Sequence, residues 1–375
     1  MDNSGQQPGK IVTQRDIAAR CGVHRSTVSF VFNGDPRIPE ETAARIREVA
    51  AELGYDPAMN AAARRLIGRK YGRRELNHLV ALDLSENFHR YPYWMQIFQG
   101  ILDVLTPAGF STINAIGLTG NLATDDLLPV IKRGEIDGII GQLHLLGDLR
   151  HNLKFSDLPA VSLIVDAANC CAAVPDEHAG GYLAMRHLLD YGHRTILHFY
   201  TGQYAGMLCP INRFNGVRQA LAEAGLCDES ALHLMRRPDG WAAPLEVSQD
   251  SSPAHLEASE VAVRQELASM LTAHPEITAI VAINDADAIR IYYHLKALGI
   301  RVPEEISLMG FDDVDALLDA DRNNILTTVA LPLHELGREA ARLLLRQLRG
   351  ETDTIEAVCL PPTLKVRKTT AFLRR

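Results

Sequence analysis

The chain has 375 residues, 47% of them hydrophobic and 22% charged, with a formal net charge of −8, a balance that excludes a disordered or collagen-like protein and points to more than one folded domain. No apolar run of about 18 residues is available to span a bilayer, and the polar opening MDNSGQQPGK carries no export signal, so a cytoplasmic protein without membrane contact is expected. Six cysteines lie scattered without C-x-x-C or paired zinc spacing, and the 14 histidines include no H-E-x-x-H. With no P-loop or nucleophile elbow either, neither a metal site nor a cofactor is expected, and an enzyme is unsupported.

Local chemistry places three short helices near the amino end. Thr13 is a good N-cap and Asp16 completes a capping-box pattern, predicting a helix from about Gln14 to Arg20 with Ile17, Ala18 and Cys21 inward and Gly22 as its stop. A second helix is predicted from Arg25 to Phe32, where Val28, Val31 and Phe32 share an inner face and Ser26, Ser29, Phe30 and Asn33 point outward. Pro39 suits the first turn of a third helix, whose Ile46, Val49, Ala50 and Leu53 close a small core before Gly54. Helix, glycine turn and second short helix make a helix-turn-helix unit, which lays its second helix in a DNA major groove.

Charge agrees with that placement. Residues 1–74 carry 13 Lys/Arg against 8 Asp/Glu, leaving 25 against 38 for the remainder, so only the head suits phosphate. Arg64, Arg65, Arg69, Lys70, Arg73 and Arg74 crowd the segment after it; alone this run reads equally as a solvated linker.

Past residue 76 the apolar runs HLVALDL, FSTINAI, DGIIGQL, PAVSLIV, TILHFY, TAIVAI and ISLMGF alternate with amphipathic stretches. This is the pattern of βα units around parallel sheets, and about 300 residues is too many for one small core, so two lobes are expected. A stretch from about Arg237 to Glu260, acidic and containing Pro and Ser, reads as a surface loop or short-helix segment.

The motifs TQRDIAARCGVHRSTVSFVFNGD, ETAARIREVAAELGYDP, YPYWMQIFQGILDVLTPAGF, EIDGII, HLLDYGHRTI, NRFNGVRQALAEAGL, AINDADA, ALGIRVPEEISLMGFDD, LTTV and LPPTLKVR stand in order from Thr13 to about Arg367. In that order they resemble the lactose-repressor/galactose-repressor (LacI/GalR) family. The resemblance implies an all-α helix-turn-helix head at 11–57, a hinge helix or linker at 58–75, and an α/β periplasmic-binding-protein-like core of two parallel-sheet lobes at 76–375. Lobe 1 is expected at about 76–167 and 332–351, and lobe 2 at about 168–331 and 352–375.

The resemblance also implies roles. His24, Arg25 and Ser26 fall where the family reads bases, with Arg25 suited to bidentate pairing with guanine. Thr13, Thr27, Ser29 and Asn33 fall where phosphates are contacted. Phe30 stands where many members carry Arg, and two readings stay open: contact with a thymine methyl, or packing on its neighbours. Leu66 is the candidate minor-groove wedge, flanked by Arg64 and Arg65, although it lies about two residues beyond the usual spacing. In the cleft, Arg213 and Asp312 match the effector-binding Arg and the hydroxyl-binding acid, Asn284 and Asp285 form the polar turn after a strand, and Tyr93 and Trp94 replace the usual aromatic pair. An arginine, an acid and aromatics suit a polyol, since each hydroxyl both donates and accepts while a ring face is desolvated. The bland alternatives are a structural Arg213–Asp312 ion pair and aromatics that only anchor a helix.

The function expected is a sequence-specific transcriptional regulator, usually a repressor, acting as a homodimer on a pseudo-palindromic double-stranded operator. A small-molecule effector of the carbohydrate class would control it. The competing class is a sugar-binding protein without a regulatory role.

Overall fold

The computed structural model describes residues 14–32, 35, 37–53, 55, 76–84, 88–115, 135–142, 158–165, 170–201, 208–226, 231–237, 253–352 and 354–373. These fall into two compact units, one reaching Asn77 and including Glu135, the other comprising the rest from His78.

In the first unit, helices α1 (Gln14–Cys21), α2 (Arg25–Phe32) and α3 (Glu40–Glu52) enclose Ile17, Ala18, Cys21, Val28, Val31, Ala43, Ile46 and Ala50. Gly22 takes φ +64° between α1 and α2, a turn that a side chain would strain. Pro39 is the N-cap of α3 rather than a residue of its first turn. Tyr55 completes this core: its N–H donates to the Ala50 carbonyl at 2.7 Å and its ring lies 5.2 Å from that of Phe32. An arginine clasp adds to it, since Arg45 donates to the Cys21 carbonyl from α3.

The second unit holds two six-stranded sheets. Strands β1 (Leu79–Asp83), β2 (Ser111–Asn114), β3 (Gly138–Gly141), β4 (Ala160–Leu163) and β5 (Cys171–Pro175) join β11 (Ala357–Leu360) in the order β11-β5-β4-β3-β1-β2, all parallel. The other sheet contains β6 (Ile196–Thr201), β7 (Leu232–Arg237), β8 (Ala279–Val281), β9 (Ser307–Asp312), β10 (Thr327–Ala330) and β12 (Thr363–Lys365), ordered β12-β10-β9-β8-β6-β7. Only β12 runs antiparallel to its neighbour there. Central strands such as β3 and β4 are buried along their whole length, which is why they read as unbroken apolar runs.

Among the described residues, six α-helices connect and cover these strands: α4 (Pro92–Leu105), α5 (Glu177–Asp190), α6 (Leu208–Glu223), α7 (Pro253–Ala273), α8 (Asp285–Ala297) and α9 (Leu333–Leu348). Helix α9 turns a leucine- and alanine-rich stripe onto the first sheet, while Glu335 and Glu339 pair with Arg342 on its outer side.

The expected lobe boundaries need correction. Cys171–Pro175 and Ala357–Leu360 belong to the first sheet, so the chain crosses to the second after Pro175 and again after Leu360. Both are short strands that gain their hydrogen bonds only from each other and from β4, a pairing that local periodicity does not reveal. The stretch read as a surface loop or short-helix segment also divides: Arg237 ends β7, residues 253–260 open the 21-residue helix α7, and 238–252 lie outside the described residues. The last residues dock beside β9, where the Leu308 N–H donates to the Thr369 carbonyl at 2.7 Å and the Ala371 N–H to Ser307 Oγ at 3.1 Å.

Each sheet carries one pair of helices in backbone contact. Where α4 crosses α9, a Cβ on Gly100 would lie 2.0 Å from the His334 carbonyl oxygen and one on Gly337 2.0 Å from that of Ile97. Where α5 crosses α6, a Cβ on Gly181 would lie 2.0 Å from the Arg213 carbonyl oxygen and one on Gly216 1.9 Å from that of His178. Backbone cannot yield as a flexible side chain does, so Gly337→Ala should lower unfolding free energy by about 1–3 kcal/mol, the usual cost of overpacking. Denaturant unfolding measures this; an unchanged midpoint and slope would contradict the packing described.

Candidate functional site

The outward side of the helix-turn-helix is short and polar. His24 and Arg25 sit exposed at the start of α2, with His24 Nδ1 2.8 Å from Ser26 Oγ, and Thr27 and Ser29 are half-buried. Phe30 is 40% exposed, and the Arg37 guanidinium lies 5.5 Å over its ring centroid. Asp35 holds that guanidinium with a two-pronged bond, Nε at 2.9 Å and Nη2 at 2.6 Å. The side-chain bond from Arg37 is the main cause that holds the Asp35 carboxyl down at about 2. Phe30 thus has a packing partner in Arg37, which leaves both readings of its role open. Thr13, Asn33, Arg64, Arg65 and Leu66 lie outside the described residues.

The second cluster is built around Arg213, in α6. Its Nε donates to Glu177 Oε2 at 2.7 Å, its Nη1 to the Ile283 carbonyl at 2.5 Å, and its guanidinium lies 3.5 Å from the centroid of the Phe311 ring. The close crossing of α5 and α6 is what sets the first bond, because Glu177 opens α5 immediately after its N-cap Asp176. Burial opposes the charge on Arg213, but the ion pair with Glu177, reinforced by Asp312 and Tyr93, outweighs it and holds the guanidinium pKa above its ordinary value.

Asp312 ends β9 in a left-handed conformation, φ +97°, which strains a residue with a side chain. Burial pushes its carboxyl well above the usual carboxylate range; Arg213 pulls it back, and Asp285, Glu177 and Asp315 push it up. The arginine's ion-pair partner is therefore Glu177, and Asp312 acts on it at longer range. Asp285 lies behind this turn, fully buried: Oδ1 accepts from Thr328 Oγ1 at 2.6 Å, and Oδ2 from the Val314 and Asp315 N–H groups at 2.8 and 3.3 Å. It pins the backbone that carries Asp312. Burial pushes its own carboxyl up to about 7, with those three hydrogen bonds working the other way.

Asn284 caps α8, accepting from the Asp287 N–H at 2.8 Å. Tyr93 and Trp94, both half-buried in the first turn of α4, meet edge to face at 5.3 Å. Of the residues read from the sequence, Arg213, Asp312 and Tyr93 share one electrostatic neighbourhood, while Asp285 and Asn284 have structural bonds of their own. Glu177, Phe311 and His198 were not singled out. The signal for Glu177 was an acid directly after a capping Asp at a helix start, where a buried arginine needs a counter-charge. His198, 4% exposed on β6, has its ring stacked 5.9 Å from that of Phe214; burial and then Arg213 hold its pKa down to about 4.

Residues 13–58 match the bacterial regulatory proteins of the lacI family, and residues 185–370 match a periplasmic binding protein-like domain. The regulator CelR of Thermobifida fusca is 30% identical over 361 residues, spanning 94% of this chain and 96% of the relative. The chain belongs to the LacI family. The regulator DegA of Bacillus subtilis is 29% identical over 365 residues, 96% of this chain and 98% of its own. Among solved structures, a CelR–cellobiose complex superposes with TM-score 0.59 at 27% identity over 96% of this chain and 99% of the other. An Enterococcus faecium LacI-family regulator with bound ribose gives 0.61 at 26% identity over 79% and 100%. This LacI-family chain is thus a DNA-binding regulator of transcription with a two-sheet α/β core, and these relatives are regulators rather than enzymes. Among its described helices none is long and apolar enough to cross a membrane.

The His198 shift has a measurable consequence. Unfolded histidine takes its proton near pH 6.5 and the buried ring only near 4, so the stability His198 contributes is full above about pH 6.5 and falls as pH drops toward 4. The stability difference between the parent and His198→Phe should therefore grow by about 3 kcal/mol from pH 4 to pH 7. Denaturant melts across that range test it, and a difference independent of pH would show that the ring is not held neutral.

Proposed function

We propose that this regulator, most naturally a repressor, binds a carbohydrate-class effector between its two sheets, with Arg213, Asp312, Tyr93 and Trp94 contacting the ligand. Asn284 and Asp285 are assigned to shaping the turn behind it. The observation that carries this reading is the Arg213 guanidinium fixed on Phe311 by Glu177, beside an acid. Two of its five N–H groups hold it in place, and the rest of the planar fork is assigned to ligand oxygens. Asp312 then accepts from hydroxyls, and the aromatic pair takes the apolar face of a sugar ring. The cellobiose and ribose seen with two related regulators support that ligand class.

At the DNA end, His24, Arg25 and Ser26 are assigned to base edges, and Thr13, Thr27, Ser29 and Asn33 to phosphates. Phe30 with Arg37 forms an apolar and cationic edge between them. Residues 11–57 are the head and 58–75 the hinge, with Arg64 and Arg65 on the minor groove and Leu66 as its wedge. Two chains bind a pseudo-palindromic operator in the cytoplasm, and effector shifts DNA affinity through a coupling of about 1–3 kcal/mol.

A thermal-shift screen against mono- and disaccharides identifies the ligand, since a molecule that binds the native form raises the melting temperature. Arg213→Ala should abolish that shift and the ligand response in operator binding while leaving ligand-free operator affinity intact; an undiminished shift would remove Arg213 from the site. Arg25→Ala should cost about 1–3 kcal/mol of operator affinity and relax one base position, whereas a uniform loss on all sequences would make it a phosphate contact.

A further inference from the structure

We propose that His233, His274 and Glu276 form a binding site for a divalent transition-metal ion of the zinc type, at the opposite end of the second sheet from Arg213 and Asp312. Among the described residues these three bring one ligand atom each within 4.8 Å of one another. Glu276 Oε1 stands 3.2 Å from His274 Nδ1 and 3.7 Å from His233 Nε2, and the two imidazoles lie 4.0 Å apart at 39°. Zinc holds imidazole nitrogen and carboxylate oxygen at about 2.0–2.2 Å in a tetrahedron, which sets ligand atoms roughly 3.3 Å apart, close to the 3.2 and 3.7 Å separations found here.

The donors sit on ordered elements. His233 is the second residue of β7, the edge strand, in register with Leu197 of β6. His274 and Glu276 flank Pro275 in the tight turn between α7 and β8, where Pro275 fixes its own φ. That turn is tied down on both sides: the His274 N–H donates to the Met270 carbonyl at 2.9 Å, Ile277 to His274 at 3.1 Å, and Thr278 to Thr195 at 3.1 Å. Glu276 is exposed and the two histidines are half-buried, which leaves an entry path and room for a water ligand.

Two imidazoles and one carboxylate suit zinc, cobalt or nickel and are poor partners for calcium or magnesium, which demand oxygen. Only the neutral imidazole offers a lone pair to a metal ion, so binding is expected to weaken in acid. The Arg213 cluster lies at the carboxyl ends of β6, β8 and β9, whereas His233 and the 274–276 turn lie at the amino ends of β7 and β8. A bound ion therefore clips the edge strand to the turn after α7 and closes the chain between them, stabilising the fold without touching the effector cleft.

The full-length protein, stripped with chelator and dialysed, is titrated with Zn2+ by calorimetry and thermal shift and with Co2+ by visible absorption. One ion per chain, a raised melting temperature and Co2+ bands lacking a thiolate charge-transfer feature are expected. His274→Gln and Glu276→Gln, at accessible positions that leave the core intact, should each weaken binding at least tenfold. Absence of saturable binding, a thiolate feature naming a cysteine as ligand, or affinity unchanged in both variants would overturn the site.

Discussion

The buried ion pair between Arg213 and Glu177 is the constraint on which the carboxyl end of the second sheet is organised. A guanidinium lifted out of water is costly unless a carboxylate and a carbonyl meet it, and here both do, at 2.7 and 2.5 Å. Those partners come from the start of α5 and the turn just after β8, so the pair ties three parts of the chain together while its planar face rests on Phe311. None of this is possible unless α5 and α6 approach to backbone contact, which Gly181 and Gly216 permit. The charge then propagates: it adds to the burial that keeps His198 neutral on one side and partly offsets the burial of Asp312 on the other.

A second constraint is the way the chain passes between sheets. It crosses after Pro175, returns with α9, and crosses once more between β11 and β12. Three connections therefore join the two sheets, and none of them follows from a single local sequence signal. The tail beside β9 anchors the last crossing, with Thr370 Oγ1 3.1 Å from Thr327 Oγ1 and 2.9 Å from His187 Nε2.

Legibility in the sequence followed how local each signal was. Helix α2 reads directly from Val28 and Val31, and the seven apolar runs fall on strands β1, β2, β3, β4, β6, β8 and β9; for all but the edge strand β2, burial on both faces writes itself into consecutive residues. Strands β5, β7, β11 and β12 escaped because their place depends on neighbours distant in sequence. At the cleft, Arg213 and Asp312 were visible through motifs, but Glu177 was not, since its role exists only where two glycine-faced helices cross. Asp285 shows the converse: a residue in a recognisable motif whose oxygens are spent on Thr328 and the 314–315 backbone. The trio of His233, His274 and Glu276 has no spacing to detect, as it is assembled from a strand and a remote turn.

The stacking of Arg37 over Phe30 couples the chemistry of positions 30 and 37. Restoring an arginine at 30 while keeping the one at 37 would set two like charges face to face in place of a cation on a ring. Drift at either position is therefore penalised unless the other changes with it. On this side of α2, paired replacement should therefore be tolerated better than either single step.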